Sequence, residues 1–484
     1  MSTALQHNHS AERVTPFEQA ALQNLRYRQN QAWKNWAEGV RCQPEYSFYP
    51  QRLDDLIQIV NFAREQGKRI RVVASGHSWS ALAATHEILV FVQTLNNVTM
   101  DLSNDAQPRV VIESGATGKE VNDVLEQHGY ALPCNVVLES VRFGGLIATG
   151  SHGSGWNNRT LSDLVHAIEI VDAAGELRRF EAGVDDDDVM NAARLNLGMF
   201  GIIYRITLNA QKSWTVRAFD RRVPIEDVLE NLKQWVLVHD NLDLFWWPFC
   251  NKFWVKSWHP IQERITAKPR VSPRDKYSAA ISSRFYRESL RLMKAFPPLT
   301  PRVCNLTFGA TPSTRDDIVD VVEAIHYRRA IEVAKMGCVE IAFKIDPDFE
   351  NVKRAIQVVF ENVNAYARRG EYPMNVTMNA RFIHNSDCWL SPAFGEGHTC
   401  YIEILSHTNE SLWQRFSGEV AREWLKLPHA RPHWAKEYRH IPGIIEHIKS
   451  NFAENIVRFN QIKEQLQVDP SHMFVNPTLR EIFL

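Results

Sequence analysis

Seven cysteines are scattered through 484 residues, and no two of them form a CxxC pair. An odd, dispersed set argues against a zinc cluster or a disulfide framework, and no metal site is expected. No run of about 18 apolar residues is present to span a bilayer. The opening MSTALQHNHSAERVTPFEQ lacks the apolar stretch of a secretory signal, so the expected setting is cytoplasmic and reducing. Neither sign of charge dominates: 55 Lys and Arg meet 56 Asp and Glu, for a net charge of -1. That excludes the broad basic footprint of a nucleic-acid binder and leaves a small molecule as the expected partner. Internal repeats and low-complexity linkers are also missing, as is a GxGxxG string opening a helix.

What remains is a soluble globular chain, 44% hydrophobic and 23% charged. Its length exceeds what one core usually fills, so at least two domains are expected. Residues 1–30 read as a polar, partly helical lead-in. Apolar spacing predicts a helix over Leu53–Glu65, and β-branched runs predict strands at Ile70–Ala74, Ile88–Thr94 and Val110–Ser114. A helix is expected over Gly118–His128, and a hairpin joins Leu164–Asp172 to Leu177–Phe180. Asp185–Asp188 reads as a solvated loop, and Gly198–Leu208 as a glycine-punctuated strand. Beyond Ala210 the pattern changes to long alternating strands such as Asp243–Trp254, with helical stretches such as Asp316–Val333 between them. Arg270–Glu288 is polar and basic, a loop or a surface helix.

Three stretches carry chemistry. In ASGHSWS (Ala74–Ser80), small residues after a strand let backbone N–H groups converge on a pyrophosphate. Ser75, Ser78 and Ser80 add hydroxyls. A phosphate site does not need His77, which on these residues alone is a general base, a metal ligand, a covalent cofactor anchor or a turn imidazole. In GGLIATGSHGSG (Gly144–Gly155), glycines allow close backbone approach to a flat cofactor, as a loop. His152 either touches that ligand or fixes the loop. RPHWAK (Arg431–Lys436) puts a lysine among rings and bases.

Together with WKNWAEGV, LNLGMFGIIYRITL, CWLSPAFG and the closing DPSHMFVNPTLREIF, these stretches resemble flavoproteins of the vanillyl-alcohol-oxidase type, with their PCMH-type FAD-binding domain. Within that group the chain is similar to the sugar-1,4-lactone oxidases (gulonolactone, galactonolactone, arabinonolactone) and to alditol oxidase. The likeness runs from Trp33 to the end. It implies FAD attached covalently through His77, by a single link, because Cys134 does not match the family's second, cysteinyl spacing. It implies that Ser75, Gly76 and Ser78 hold the pyrophosphate, and that Gly145, Thr149, Gly150, His152 and Gly153 line the flavin. Gly201 and Ile203 meet the adenosine half. Lys436 stands near flavin N1, where a cation stabilises the anionic reduced form, with His433 in support. Gly144 replaces a bulkier residue of the family's dehydrogenases, and a gap there would admit oxygen to the flavin.

One position departs from the family. NVTMNARFI (Asn375–Ile383) alternates, so Asn375, Thr377, Asn379 and Arg381 share a strand face. The family carries Glu-x-Arg there; this chain has Asn379-Ala380-Arg381. Arg381 would orient the substrate oxygen, but an asparagine cannot serve as a base. The base is sought at Glu340 and Glu403, with His384, His398 and His407 behind them. The rings Phe245, Trp246, Trp247, Phe249, Phe253 and Trp254 either fill a sheet core or line a large pocket, the latter suiting a glycoside, nucleoside or other bulky hydroxylated substrate.

The expectation is an α+β protein of two domains. An FAD-binding domain (31–212) is completed by a C-terminal segment (430–484), and a substrate domain (213–429) is built on a large antiparallel sheet. The expected reaction oxidises an alcohol, passing hydride to flavin N5 and electrons to O2 with release of H2O2. The alternatives are a dehydrogenase with another acceptor and a flavin-retaining module without catalysis.

Overall fold

The computed structural model describes residues 22–104, 106–262, 273–326 and 334–484. It is an α+β fold in which two smaller sheets face one large antiparallel sheet across a chamber. Ile70–Val73 pairs in parallel with Ile88–Phe91, which pairs in parallel with Tyr46–Phe48; Tyr27–Gln29 closes the edge antiparallel. Their near-continuous apolar character is what a sheet covered on both faces requires. The crossover helix Leu53–Glu65 buries Leu56, Ile59, Val60 and Ala63, one helical stripe. An antiparallel sheet follows, in the order Leu177–Glu181, Val165–Val171, Ile202–Asn209, Arg109–Glu113 and Val98–Asp101. Helix Gly118–Gln127 begins at a capping box between Thr117 and Glu120.

The large sheet has eight strands, ordered Thr314–Asp320, Thr215–Pro224, Lys252–Ile261, Asn241–Trp246, Met378–Ile383, Thr399–Ser406, Gly337–Lys344 and Arg431–Pro432. Strand parity divides its faces. Val339, Ile341, Phe343, Met378, Ala380, Ile402 and Ile404 join the core shared with helices Glu350–Ala367 and Glu410–Trp424. Glu340, Asn379, Arg381 and Glu403 have the other parity and face the chamber.

The C-terminal segment returns to the first sheet. Ile70 N donates to Met473 O at 2.8 Å, and the buried Arg71 guanidinium donates to the carbonyls of Leu82, Leu197 and Phe474. The Asn476 amide bridges the carbonyls of Ala81, Leu82 and Ala84 at 2.9, 3.2 and 3.0 Å. No helix among the described residues is long and apolar enough to cross a membrane.

Several expected elements are corrected. Asp243–Trp254 is two strands, not one: Pro248 lacks a ladder donor, Phe249 takes φ +70°, and the chain turns between Trp246 and Lys252. Asp316–Val333 opens as an edge strand, Thr314–Asp320, because its full pairing with Thr215–Pro224 outweighs local preference. Only Val321–Ile325 is helical there, and 327–333 lie outside the described residues. The acidic run Asp185–Asp188 is a helix start: the Asp186 carboxylate accepts from Asp188 N at 2.8 Å and caps Asp187–Arg194. Of the two readings of Arg270–Glu288 the helix is the one observed, Pro273–Ala295, with 270–272 outside the described residues. The lead-in ends in strand Tyr27–Gln29, and 1–21 lie outside the described residues.

Candidate active site

A chamber of about 1420 Å³ lies between the large sheet and the two smaller ones. Its first wall is the turn leaving strand Ile70–Val73. Gly76 has φ +68°, a conformation costly for any side-chain-bearing residue. The turn is tied down from three sides. Trp36 N donates to Gly76 O at 2.7 Å, Asn35 Nδ2 to Ser78 O at 2.9 Å, and Trp79 N to Ala435 O at 2.7 Å. The Ser75 hydroxyl lies buried at this wall with no hydrogen-bond partner among the described residues. Such an orphan suits a bound phosphate oxygen. The His77 ring stacks on Trp36 at 4.9 Å and borders the chamber. These features fit FAD.

The glycine string is not a plain loop. Phe143–Ala148 is a short helix, and Thr149 Oγ1 donates back to Gly145 O at 2.9 Å. Gly145, Thr149 and His152 border the chamber, as do Gly201 and Ile203. Gly150 and Gly153 do not. A Cβ on Gly150 would strike Leu195 at 2.6 Å, and one on Gly153 the Asn135 carbonyl at 2.5 Å, so both glycines serve chain packing. Gly144 needs the same correction. It touches the chamber, but a Cβ there would lie 2.8 Å from Ser114 Cβ and Ser114 O. The missing side chain makes room for a backbone, not for a gap above a cofactor.

At the chamber's centre the strands gather a charged cluster. Glu403 and Asn379 are direct cross-strand partners, as are Glu403 and Glu340. Glu403 accepts from the Lys436 ammonium, from Asn379 Nδ2 at 3.0 Å and from Cys338 Sγ at 3.0 Å. Lys436 Nζ also lies 3.6 Å from Glu340, and its ammonium sits over the Trp79 ring at 4.7 Å. His152 Nε2 lies 3.4 Å from Glu340 Oε1, and its ring stacks on Tyr401 at 3.6 Å. Arg381 Nε is 3.9 Å from Asp243.

The electrostatics follow from burial and partners. Burial opposes the charge on Glu340, but Lys436, His152 and His433 outweigh it and hold that carboxyl well below its ordinary value. Glu403 is also opposed by burial, and the Lys436 cation lowers it against repulsion from Glu340. Burial works against the Lys436 ammonium too, yet Cys338, Glu403 and Glu340 raise it above its ordinary value. Burial pushes His433 down to about 3, so it is a neutral imidazole accepting from Ala435 N at 3.1 Å. The centre therefore holds two carboxylates, a fixed ammonium and a guanidinium. It can bind a hydroxyl, accept its proton and stabilise negative charge.

The remaining expected residues separate cleanly. His384, His398 and His407 are not at the chamber wall: His398 stacks on Trp156 at 3.5 Å, His384 packs against His398, and His407 bonds Lys335 O. Asn375 turns its amide to His407 O at 2.9 Å. The aromatic series splits by parity. Phe245, Trp247 and Trp254 border the chamber, whereas Trp246 and Phe253 fill the core beneath. The same parity exposes what sequence reasoning missed. Asp243 alternates with Phe245, and Lys256 with Trp254, so both charges belong to the chamber face. Lys256 lies at the chamber wall and Asp243 in a small adjoining cavity.

Comparison with known proteins agrees with this geometry. The D-arabinono-1,4-lactone oxidase family matches residues 206–482, and the FAD binding domain family matches residues 44–181. The chain is 26% identical to an L-gulono-1,4-lactone dehydrogenase of Mycobacterium tuberculosis (strain ATCC 25618 / H37Rv), over 93% of this chain and 98% of that protein. It is 26% identical to an L-gulonolactone oxidase of Scyliorhinus torazame, over 93% and 98%. With a D-arabinono-1,4-lactone oxidase of Kluyveromyces lactis it shares 24%, over 93% and 95%. Among solved structures, a solvent-stable cholesterol oxidase superposes with a TM-score of 0.78 at 18% identity, covering 96% of this chain and 99% of that one. Cholesterol oxidase from B. sterolicum does so with 0.78 at 16%, covering 96% and 98%. These two show a shared fold.

Proposed function

The chain belongs to the D-arabinono-1,4-lactone oxidase family and is an FAD-dependent oxidoreductase of it, and from this premise we propose that it oxidises an alcohol group of a sugar lactone, polyol or related hydroxylated metabolite. FAD, when bound, would supply the hydride acceptor, and the proposed final acceptor is O2, which would leave as H2O2. The guanidinium of Arg381 orients the substrate oxygen. Glu403, ionised beside Lys436, takes the hydroxyl proton, and Asn379 steadies Glu403 by its amide donor. Lys436 is the cation offered to developing negative charge, with neutral His433 behind it. His77 is the proposed covalent anchor, chosen because its imidazole borders the chamber and packs flat on Trp36.

The observation that carries this reading is the carboxylate directly across from Asn379. The acid absent from strand Met378–Ile383 has a counterpart on Thr399–Ser406, bonded to the lysine of RPHWAK. The test is anaerobic bleaching of the holoenzyme by aldonolactones, alditols, simple sugars, nucleosides and larger glycosides, followed by admission of air. Bleaching with rapid recovery and peroxide supports the oxidase. A second reading, a dehydrogenase with a non-oxygen acceptor, is favoured by the Gly144 contact with Ser114, which removes the steric argument for oxygen access. Bleaching with slow recovery in air would select it. A chemically reducible flavin that no substrate bleaches would indicate a binding module without catalysis.

A further inference from the structure

Register places five charged side chains in one row across the chamber face of the large sheet. Arg315 pairs with Asp220, Asp220 with Lys256, Lys256 with Asp243, and Asp243 with Arg381, each directly cross-strand. The signs alternate from the outer edge to the reaction centre. Arg315 lies 3.9 Å from Asp220, Lys256 3.8 Å from Asp220, and Arg381 3.9 Å from Asp243. The three middle side chains are no more than 4% exposed, while Arg315 at the rim is 31% exposed and also bonds Asp317. Two residues along the same strands runs a second row. Trp254 pairs with Phe245, Phe245 with Asn379, and Asn379 with Glu403.

Same-face residues two apart are separated by roughly 7 Å. Arg315, Asp220, Lys256 and Arg381 line the chamber and Asp243 sits behind them in the adjoining cavity, so a ligand lying across the strands meets charged groups along one edge and the rings of Phe245 and Trp254 along the other. Sugar rings carry that division: hydroxyls at the edges, C–H faces between. The five signs sum to +1, and Asp317, bonded to Arg315, offsets that charge, so the matching ligand is neutral. Four inter-strand steps of about 4.8 Å make the charged row roughly 19 Å long, more than one sugar ring can bridge.

We propose that this double row is an extended subsite for a neutral glycoside of at least two sugar units, its oxidised carbinol at Asn379, Arg381 and Glu403 and its distal unit along Lys256, Asp220 and Arg315. The inference rests on the chamber being the alcohol-oxidising site and specifies its substrate class.

Sorbitol and maltitol test it, because they share a terminal polyol and differ by one glucosyl unit. Binding to the holoenzyme is read by quenching of tryptophan fluorescence, independently of turnover, and flavin bleaching is followed in parallel. The expected result is maltitol binding about tenfold tighter than sorbitol. Arg315→Ala should bring the ratio of the two affinities toward one, and Arg315→Lys should restore part of it. Equal affinities in the native protein, no quenching by either probe, or a ratio unmoved by Arg315→Ala would overturn the proposal. Tighter maltitol binding without bleaching would leave the subsite standing and count against the redox reading. Equal binding with bleaching by both would do the reverse.

Discussion

The amide of Asn379 donates to Glu403 Oε2 at 3.0 Å from the directly opposite position of the neighbouring strand. Glu403 is thus held on one oxygen by a neutral donor and on the other by the Lys436 ammonium. A carboxylate so fixed stays ionised and aimed into the chamber.

Glu403→Gln should lower the anaerobic rate of flavin reduction by about a hundredfold or more, the usual weight of a lost general base. Stopped-flow absorbance with saturating substrate reads it. Glu340→Gln should cost less, because the Glu340 carboxylate faces His152 and Lys436, one strand further from Asn379. The opposite ranking would assign the proton transfer to Glu340.

If His77 carries the flavin, acid precipitation of the native holoenzyme will bring yellow colour down with the protein. His77→Ala should leave that colour in the supernatant. A precipitate of the variant that stays yellow points to another attachment residue.

Gly144 and Gly145 differ in what a methyl group would meet. At Gly144 it lies 2.8 Å from the Ser114 backbone, and at Gly145 its nearest neighbour is Ala74 Cβ at 3.6 Å. Gly144→Ala should cost about 2 kcal/mol through displaced backbone, and Gly145→Ala close to nothing. Chemical denaturation of the two variants side by side checks this. Equal stabilities would mean that the Ser114 contact yields freely, and would reopen an oxygen-gating role for Gly144.

Glu437 supplies a pH dependence. Its carboxylate accepts from Trp413 Nε1 at 2.8 Å and Cys338 N at 3.3 Å, and burial pushes its carboxyl up to about 7 despite both bonds. A raised acid is protonated in the folded chain where the unfolded chain has already ionised. Stability from this group is therefore full below pH 4.5 and is lost as pH rises to about 7, by roughly 3 kcal/mol. Glu437→Gln should flatten the stability profile in that window. An unchanged slope would show that other groups set it.

Much of this centre was legible because strand alternation is a local property. Reading every second residue of NVTMNARFI put Asn379 and Arg381 on one face, and Glu340 in CVEIAFKI and Glu403 in CYIEILSH read as residues of neighbouring strands. Applied separately to the two arms of DLFWWPFCNKFWVKSW, the count splits Phe245 and Asp243 from Trp246, and Trp254 and Lys256 from Phe253, but the parity switches across the turn, and only the pairing of the two strands joins the faces. The neighbouring of the Glu340 and Glu403 strands was legible, and the order of the rest of the sheet was not. Met378–Ile383 enters the sheet between the next strand in the chain, Thr399–Ser406, and the distant Asn241–Trp246, so the facing of Arg381 and Asp243 is a tertiary fact. Thr314–Asp320 was misread because an edge strand tolerates charges that also suit a helix surface. The direction of an absent Cβ at Gly144 depends on Ser114, contributed by another segment.

The hydrogen bond from Arg71 to Phe474 spans 403 residues. During synthesis, Arg71 emerges long before the carbonyl that will take its charge, and the whole large sheet is made in between. The first sheet thus stays incomplete, with a guanidinium awaiting its acceptor, until Phe474 has been made. The two halves are obliged to mature together, and a finished cradle for the cofactor waits on the segment around Phe474.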